Sequence, residues 1–194
     1  MHHRDDDLQR LVCAVPFMAL MRPSSALNLL TRAADDAEEL APVLSQYPQV
    51  RYQALDFHYV CLQSLGALSK ALVEDLTGEF GWRGLVWASL LACLAPSEEF
   101  RSALEAARPN EPRQAWAVDL ALAHLGAPCP SELTGLMAQL IRLRNALSAC
   151  TIPDVSLRLA ESRSVVDARQ SLVREKYGRE GREAALQAIR LAGR

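Results

Sequence analysis

The longest run of apolar positions in the chain extends from Arg51 to Ala95, and it predicts two long helices joined by a tight glycine turn. Leucines recur in its first half at the spacing of one helical face, at positions 55, 62, 65, 68, 72 and 76. A second apolar row, which includes Phe57 and Val60, lies beside them. Because few polar positions remain, the first helix should contact neighbours on most sides and lie near the middle of the molecule.

Gly78 and Gly81 mark the turn, because glycine is unfavourable inside a helix and favoured at its end. The segment from Trp82 to Ala95 that follows is apolar on nearly every side and stops before Pro96. A membrane span requires about 20 apolar residues. This segment is shorter, and we therefore expect a buried helix that packs against the first one.

Proline and capping signals divide the rest of the chain into shorter helices. Near the start of the chain, interruptions at Pro16 and Pro23 and a capping pattern that begins at Asp36 predict several short pieces, which form an outer layer. Between Pro96 and Cys150, proline-containing loops separate three more helices, and the last of these is strongly amphipathic.

These elements favour a single all-α domain of about eight to ten helices. Ala and Leu dominate the composition, whereas the β-branched residues that build strands are few, with 12 Val, 3 Ile and 4 Thr. The architecture is predicted to be an irregular bundle or a short α-solenoid of antiparallel helix pairs with HEAT-like stacking, since a Trp-Ala helix and a proline loop recur after 29 to 34 residues. The expected organisation is short N-terminal helices over 1–49, core helices over 50–150 and basic C-terminal helices over 151–194.

Five cysteines are scattered through the chain, at positions 13, 61, 93, 129 and 150, and no two form a Cys-x-x-Cys pair. All but Cys129 fall in an apolar helical pattern, which predicts small reduced core residues rather than disulfides or a zinc site. The sequence from Met1 to Asp7 is polar and acidic, whereas a secretory signal is basic and then apolar. We therefore expect a cytoplasmic protein with no membrane segment, no cofactor and no metal.

Charge is divided unevenly along the chain, although the formal net charge is only −2. Residues 1–141 contain 10 Lys or Arg and 17 Asp or Glu, whereas residues 142–194 contain 11 and 6. A basic tail can bind an acidic partner or dock on the acidic body of its own chain. The candidate partner-binding residues of the tail are Arg169, Arg174, Lys176, Arg179 and Arg182.

His58 is the most attractive titratable residue, because Asp56 is close to it in sequence and helical spacing places Cys61 on the same face. Nucleophilic catalysis by a Cys/His pair requires contact between the two groups and a third group that orients the base. The favoured interpretation is instead a buried histidine on the face of Leu55 and Leu62, with a local hydrogen bond.

The other histidines are weaker candidates. His124 lies near Cys129 across a proline loop, and His2 and His3 are expected to be disordered. The four histidines and five cysteines lack the ligand spacing of a metal site.

The glycine-rich segment from Gly78 to Gly84 opens a helix, so its free amides and Arg83 could hold a phosphate or a carboxylate. The segment lacks the Lys-Ser/Thr pair of a P-loop and follows a helix rather than a strand. The favoured interpretation is a helix–helix turn. In that turn Arg83 pairs with an acidic residue of the preceding helix, namely Glu74, Asp75 or Glu79.

Apolar helices are abundant in the sequence, whereas nucleophile motifs, paired catalytic acids and ligand clusters are not found. The leading hypothesis is therefore a non-enzymatic protein-binding or adaptor protein, which binds another protein in a groove between helices or associates with itself. The alternative is a nucleic-acid-associated regulator that binds through the basic C-terminal helices, with nucleic acid the less favoured partner. A third hypothesis, a helical enzyme with an unfamiliar site, would use His58, Asp56 and Arg83.

Overall fold

The computed structural model describes residues 2–44, residues 55–150 and nine positions between 171 and 188. Eight α-helices form between residues 2 and 150, and the described residues contain no strand, which confirms the all-α class. Short 3-10 turns lead into the last three helices. The helices are α1 (Asp5–Ala14), α2 (Pro23–Leu44), α3 (Asp56–Gly66), α4 (Lys70–Glu79), α5 (Gly81–Leu94), α6 (Arg101–Ala107), α7 (Ala115–His124) and α8 (Thr134–Ser148).

Helix α5 lies at the centre of the bundle, as its apolar composition predicts. Every residue from Gly84 to Leu94 is buried, and the helix packs against α1, α3, α4, α6, α7 and α8. Trp87 is completely buried, and its indole nitrogen donates a hydrogen bond to the Ser64 hydroxyl at 3.3 Å. The buried indole thus keeps a partner for its one polar atom, as a tryptophan in a core requires.

The most extensive helix pair in the described part of the chain joins α2 to α8. These helices are far apart in sequence, and hydrogen bonds between them span 104 and 107 residues. In a solenoid each repeat contacts only its neighbours along the chain. The α2–α8 pair therefore makes the molecule an irregular bundle and not a stack of helix pairs.

The central apolar run forms three helices rather than the two that the sequence predicts. α3 ends at Gly66, and α4 begins after Ser69, whose side-chain oxygen accepts a hydrogen bond from the Leu72 amide at 3.2 Å. The first amides of a helix have no hydrogen-bond acceptor within the helix, and the Ser69 side chain supplies one of them. This cap fixes the break between α3 and α4. The leucine spacing continues across the break because Leu68 also packs on the core. The predicted start at Arg51 lies outside the described residues.

Helix α2 is continuous over 22 residues, although the sequence predicts shorter pieces divided near Asp36. It begins at Pro23, a residue whose fixed φ suits the first turn of a helix. Beside the predicted division, the Arg142 guanidinium of α8 pairs with Asp35 at 2.8 Å and with Glu38 at 2.9 Å. Contacts with α8 therefore override the local capping signal at Asp36.

The turn between α4 and α5 requires glycine at two positions. Gly81 has a φ of 52°, in the left-handed region where a side chain causes strain. Gly84 packs against the backbone of Leu76, whose carbonyl oxygen would lie 1.9 Å from a Cβ at this position. The predicted glycine turn is thus found at Gly81, whereas Gly78 lies inside α4 with open space around the position of a Cβ.

All five cysteines lie in the described residues, and none of them forms a disulfide. Cys61 and Cys93 are fully buried and Cys150 is half-buried, in keeping with the predicted core role. Cys13 is exposed, and its predicted place in the core is wrong, because the buried face of α1 carries Leu8, Leu11 and Val12. In the part of the chain that the structure describes, no helix is both long enough and apolar enough to cross a membrane.

Candidate functional site

His58 is 1% exposed and lies beneath α2, which confirms the interpretation as a buried histidine. Its Nε2 atom lies 2.6 Å from the carbonyl oxygen of Ala33, so this contact joins α3 to α2. Burial raises the pKa of the neighbouring Cys61 thiol far above its usual value. A thiol held in this way is protonated and is a poor nucleophile. The structure therefore gives no activated Cys/His pair at this position.

Arg83 faces solvent and lies over the ring of Trp82, 5.5 Å from the ring centroid. Trp82 also makes an edge-to-face contact with Phe17, with ring centroids 5.8 Å apart. Within the described residues Arg83 makes no ion pair, so the predicted pairing with Glu74, Asp75 or Glu79 is wrong. A cation–π contact with Trp82 takes its place. His58 is sealed under α2 while Arg83 is exposed, so these two residues of the third hypothesis do not share an environment.

His2 and His3 lie against α4, although the sequence predicts that they are disordered. Their backbone amides donate to the Oδ2 atom of Asp75 at 2.7 and 2.8 Å. Their Nδ1 atoms lie 3.1 Å from Oδ1 and 3.2 Å from Oδ2 of the same carboxylate, which is 5% exposed. Burial works to raise the pKa of Asp75, but the four contacts outweigh it and lower the pKa below its usual value.

His124 does not form the predicted pair with Cys129. The Cys129 thiol instead contacts the carbonyl oxygen of Pro130 at 3.5 Å. Burial, assisted by the positive charge of Arg144, lowers the pKa of His124 to about 4. The Nε2 atom of His124 is buried with no hydrogen-bond partner among the described residues. The ring is therefore neutral at pH 7 and has no acid–base partner in the described part of the chain.

Each of the two tail candidates that the structure describes is paired with a glutamate four positions away. Lys176 lies 2.6 Å from Glu180, and Arg179 lies 2.7 Å from Glu175. The remaining candidates, Arg169, Arg174 and Arg182, lie outside the described residues.

An open groove separates the exposed sides of α4 and α6 and encloses about 400 Å³. Six of the eight residues that line it are small: Thr77, Gly78, Ser102, Ala103, Ala106 and Ala107. The other two, Glu74 and Asn110, are polar. Short side chains on both walls leave the helix backbones close to the surface of the groove.

The polar groups of the groove differ in what they offer a ligand. The Thr77 hydroxyl donates to the carbonyl oxygen of Val73 at 2.8 Å, so it is engaged within α4. Glu74 is 40% exposed and lies 3.7 Å from Lys70, which is 54% exposed. An ion pair as exposed as this one contributes little. Glu74 is therefore the charged group that a ligand in the groove can reach.

Sequence reasoning missed this groove, although one part of it left a signal. Ser102 and Ala106 are spaced one turn apart and form a small-residue face on α6. Nothing in the sequence shows that this face lies opposite Gly78 of α4, because the two helices meet through packing and not through a local motif.

Comparison with known proteins adds no relative: no family model matches the chain, and no curated protein or solved structure is detectably similar to it. In the described ranges, no group of three or more His, Cys, Asp or Glu side chains is arranged to hold a metal ion. The groove and the charged contacts around it are therefore the features of the molecule that bear on its function.

Proposed function

We propose that the chain is a non-enzymatic protein-binding domain and that an amphipathic helix of its partner occupies the groove between α4 and α6. The observation that supports this proposal is the groove itself, an open cavity of about 400 Å³ with walls of small side chains on two helices. Proteins often bind amphipathic helices in grooves, through side chains spaced at i, i+3, i+4 and i+7.

The short side chains favour a helix as the occupant. Gly78 on α4 and Ser102 and Ala106 on α6 are all exposed and have little bulk. The distance between packed helix axes is about 8–10 Å and depends on the side chains at the contact. A partner helix that enters between these residues can approach to the lower end of that range and bury backbone as well as side-chain surface.

Charge defines the chemistry of the partner more closely. Glu74 is the one charged residue among those that line the groove, and its exposed pair with Lys70 contributes little. A basic side chain on the partner can replace Lys70 beside Glu74. The proposed partner helix therefore carries a Lys or Arg opposite Glu74 and small or apolar residues along the rest of its contact face.

The alternative function, nucleic-acid binding through the tail, receives less support from the described residues. Glu180 and Glu175 lie beside Lys176 and Arg179 and offset the positive charge that these two residues present to a phosphate, although ion pairs as exposed as these contribute little. Nucleic-acid binding would also weaken steeply as salt is raised, because each phosphate contact releases a counterion. A salt series with single-stranded and double-stranded nucleic acid separates the two functions.

Selection of peptides on the full chain tests the proposal. A displayed library of amphipathic helical peptides supplies the binders, and fluorescence anisotropy measures the affinity of each selected peptide. Gly78→Leu and Ala106→Leu fill the groove with a side chain that favours helix. Ala138→Leu adds the same side chain at an exposed position of α8 and is the matched control.

We expect the two groove variants to bind at least about tenfold more weakly, a loss of about 1.4 kcal/mol, and the Ala138→Leu control to bind like the natural chain. Selected peptides should carry a basic residue, and Glu74→Lys should weaken their binding. Peptides that bind both groove variants normally would show that the binding surface is elsewhere. If the natural chain forms dimers and the groove variants do not, the occupant of the groove is a second copy of the chain.

A further inference from the structure

The contact between Asp75 and the residues before α1 is separate from the groove. We infer that residues 2–4, the latch segment, form a proton-operated latch that is held on α4 when the imidazoles of His2 and His3 are protonated and is loosened when they are neutral. The inference depends on the geometry of four contacts to one carboxylate and not on the proposed function.

The four contacts divide into two kinds. Two are backbone amides that donate to Oδ2 of Asp75 at 2.7 and 2.8 Å, and an amide keeps its proton over the whole physiological range. The other two are ring nitrogens, with His2 Nδ1 at 3.1 Å from Oδ1 and His3 Nδ1 at 3.2 Å from Oδ2. Only the second kind changes with pH.

Protonation alters both the charge and the donors of each ring. A neutral imidazole donates from one nitrogen and needs the correct tautomer to donate from Nδ1, whereas the cation donates from both nitrogens. The cation also forms an ion pair with a carboxylate that is only 5% exposed. Protonation of either ring therefore adds an attraction to the carboxylate. The held state is therefore favoured at lower pH.

No other cation shares the Asp75 carboxylate within the described residues. The pKa of Asp75 is lowered by His2 and His3 alone, and no Lys or Arg of the described ranges lies within ion-pair distance of it. The lowered pKa keeps Asp75 ionised where imidazoles titrate. Among the described side chains, the other charged groups nearest in sequence are Arg4, Asp5 and Asp7 beside the latch segment and Lys70, Glu74 and Glu79 on α4, and neither Arg4 nor Lys70 forms an ion pair with this carboxylate.

The four histidines of the chain allow a direct test. In the full chain labelled with 13C at histidine Cε1, NMR relaxation reports the order of each ring and is insensitive to amide exchange. We expect the rings of His2 and His3 to have order parameters near 0.8 at pH 5.5 and below about 0.6 at pH 8.0. His58 is the internal control, because its buried contact with Ala33 should keep it ordered at both pH values.

The ratio of held to released segment should fall by about tenfold between the two pH values, as expected for two partly exposed ion pairs. Asp75→Asn should leave both rings mobile at either pH. If the His58 signal shows that this variant does not fold, His3→Gln serves instead, because glutamine can hydrogen-bond but cannot be protonated. It should reduce the pH response of the His2 ring. Rings that are equally ordered, or equally mobile, at pH 5.5 and 8.0 would overturn the inference, as would a response that survives either substitution unchanged.

Discussion

Replacing Gly84 by alanine should destabilise the protein, even though alanine is the better helix former. A Cβ at this position would lie 1.9 Å from the carbonyl oxygen of Leu76 and 2.7 Å from the Cβ of Phe80. Ordinary contacts between such atoms are about 3.5 Å, so α4 and α5 would have to separate by about 1.5 Å. The clash is with backbone, and no change of side-chain rotamer can relieve it.

The size of the effect follows from two opposing contributions. Alanine in place of glycine inside a helix favours folding by about 1 kcal/mol. Overpacking of a close contact costs about 1–3 kcal/mol, and the upper end applies here because the obstructing atoms are fixed. The separation also loosens the packing of Leu85 and Trp87, which are 1% and 0% exposed. We expect a net loss of about 2 kcal/mol in the free energy of unfolding.

Urea denaturation followed by tryptophan fluorescence measures this loss, since Trp87 lies on α5 close to the substitution. Gly78→Ala is the matched control, because a Cβ at Gly78 enters open space on the neighbouring helix. It should stabilise the chain by about 0.5–1 kcal/mol, opposite in sign to Gly84→Ala. If Gly84→Ala unfolds at the same urea concentration as the natural chain or at a higher one, the close approach of α4 and α5 described here is incorrect.

Two further substitutions test contacts that the sequence did not reveal. Ser69→Ala removes the acceptor of the Leu72 amide and should lower the free energy of unfolding by about 1 kcal/mol in the same urea assay. Ser69→Asn should restore most of that stability, because asparagine also caps helices. Equal stability of all three chains would exclude the cap. His124 is neutral in the folded chain because its pKa is lowered to about 4, so protonation favours the unfolded state. The free energy of unfolding should therefore fall by about 1–2 kcal/mol between pH 6.5 and pH 4, after allowance for solvent screening. His124→Gln should lack this loss, and an unchanged pH profile in that variant would assign the loss to another group.

The helix class and the central position of α5 could be predicted because each depends on the residues of one segment. The run from Gly84 to Leu94 is apolar on nearly every side, and such a helix is stable only when it is surrounded. The break before α4 was harder to predict, because Leu68 and Leu72 continue the leucine spacing on both sides of it. Only the hydrogen bond from Leu72 to Ser69 distinguishes this serine from any other polar residue of the run.

The charged contacts could not be predicted, because they join residues that no local rule connects. Asp75 lies 72 residues after His3, and Arg142 lies 104 residues after Glu38. In sequence, Arg83 is the predicted partner of Asp75, and no local pattern connects His2 and His3 with this carboxylate. The bundle instead brings the start of α1 to α4. A carboxylate buried at that point needs whatever donors lie opposite it, and those donors belong to His2 and His3.

The three glycines around the start of α5 show how structure separates roles that look alike in sequence. Gly81 is required by its positive φ, and Gly84 is required by the approach of the Leu76 carbonyl. Gly78 meets neither requirement, and an alanine there would stabilise α4. Gly78 is also the one of the three that lines the groove. The fold does not require glycine at this position, but a groove that must admit a partner helix does require a residue without a side chain in its wall. The substitution of Gly78 by leucine is therefore the sharpest test of helix binding.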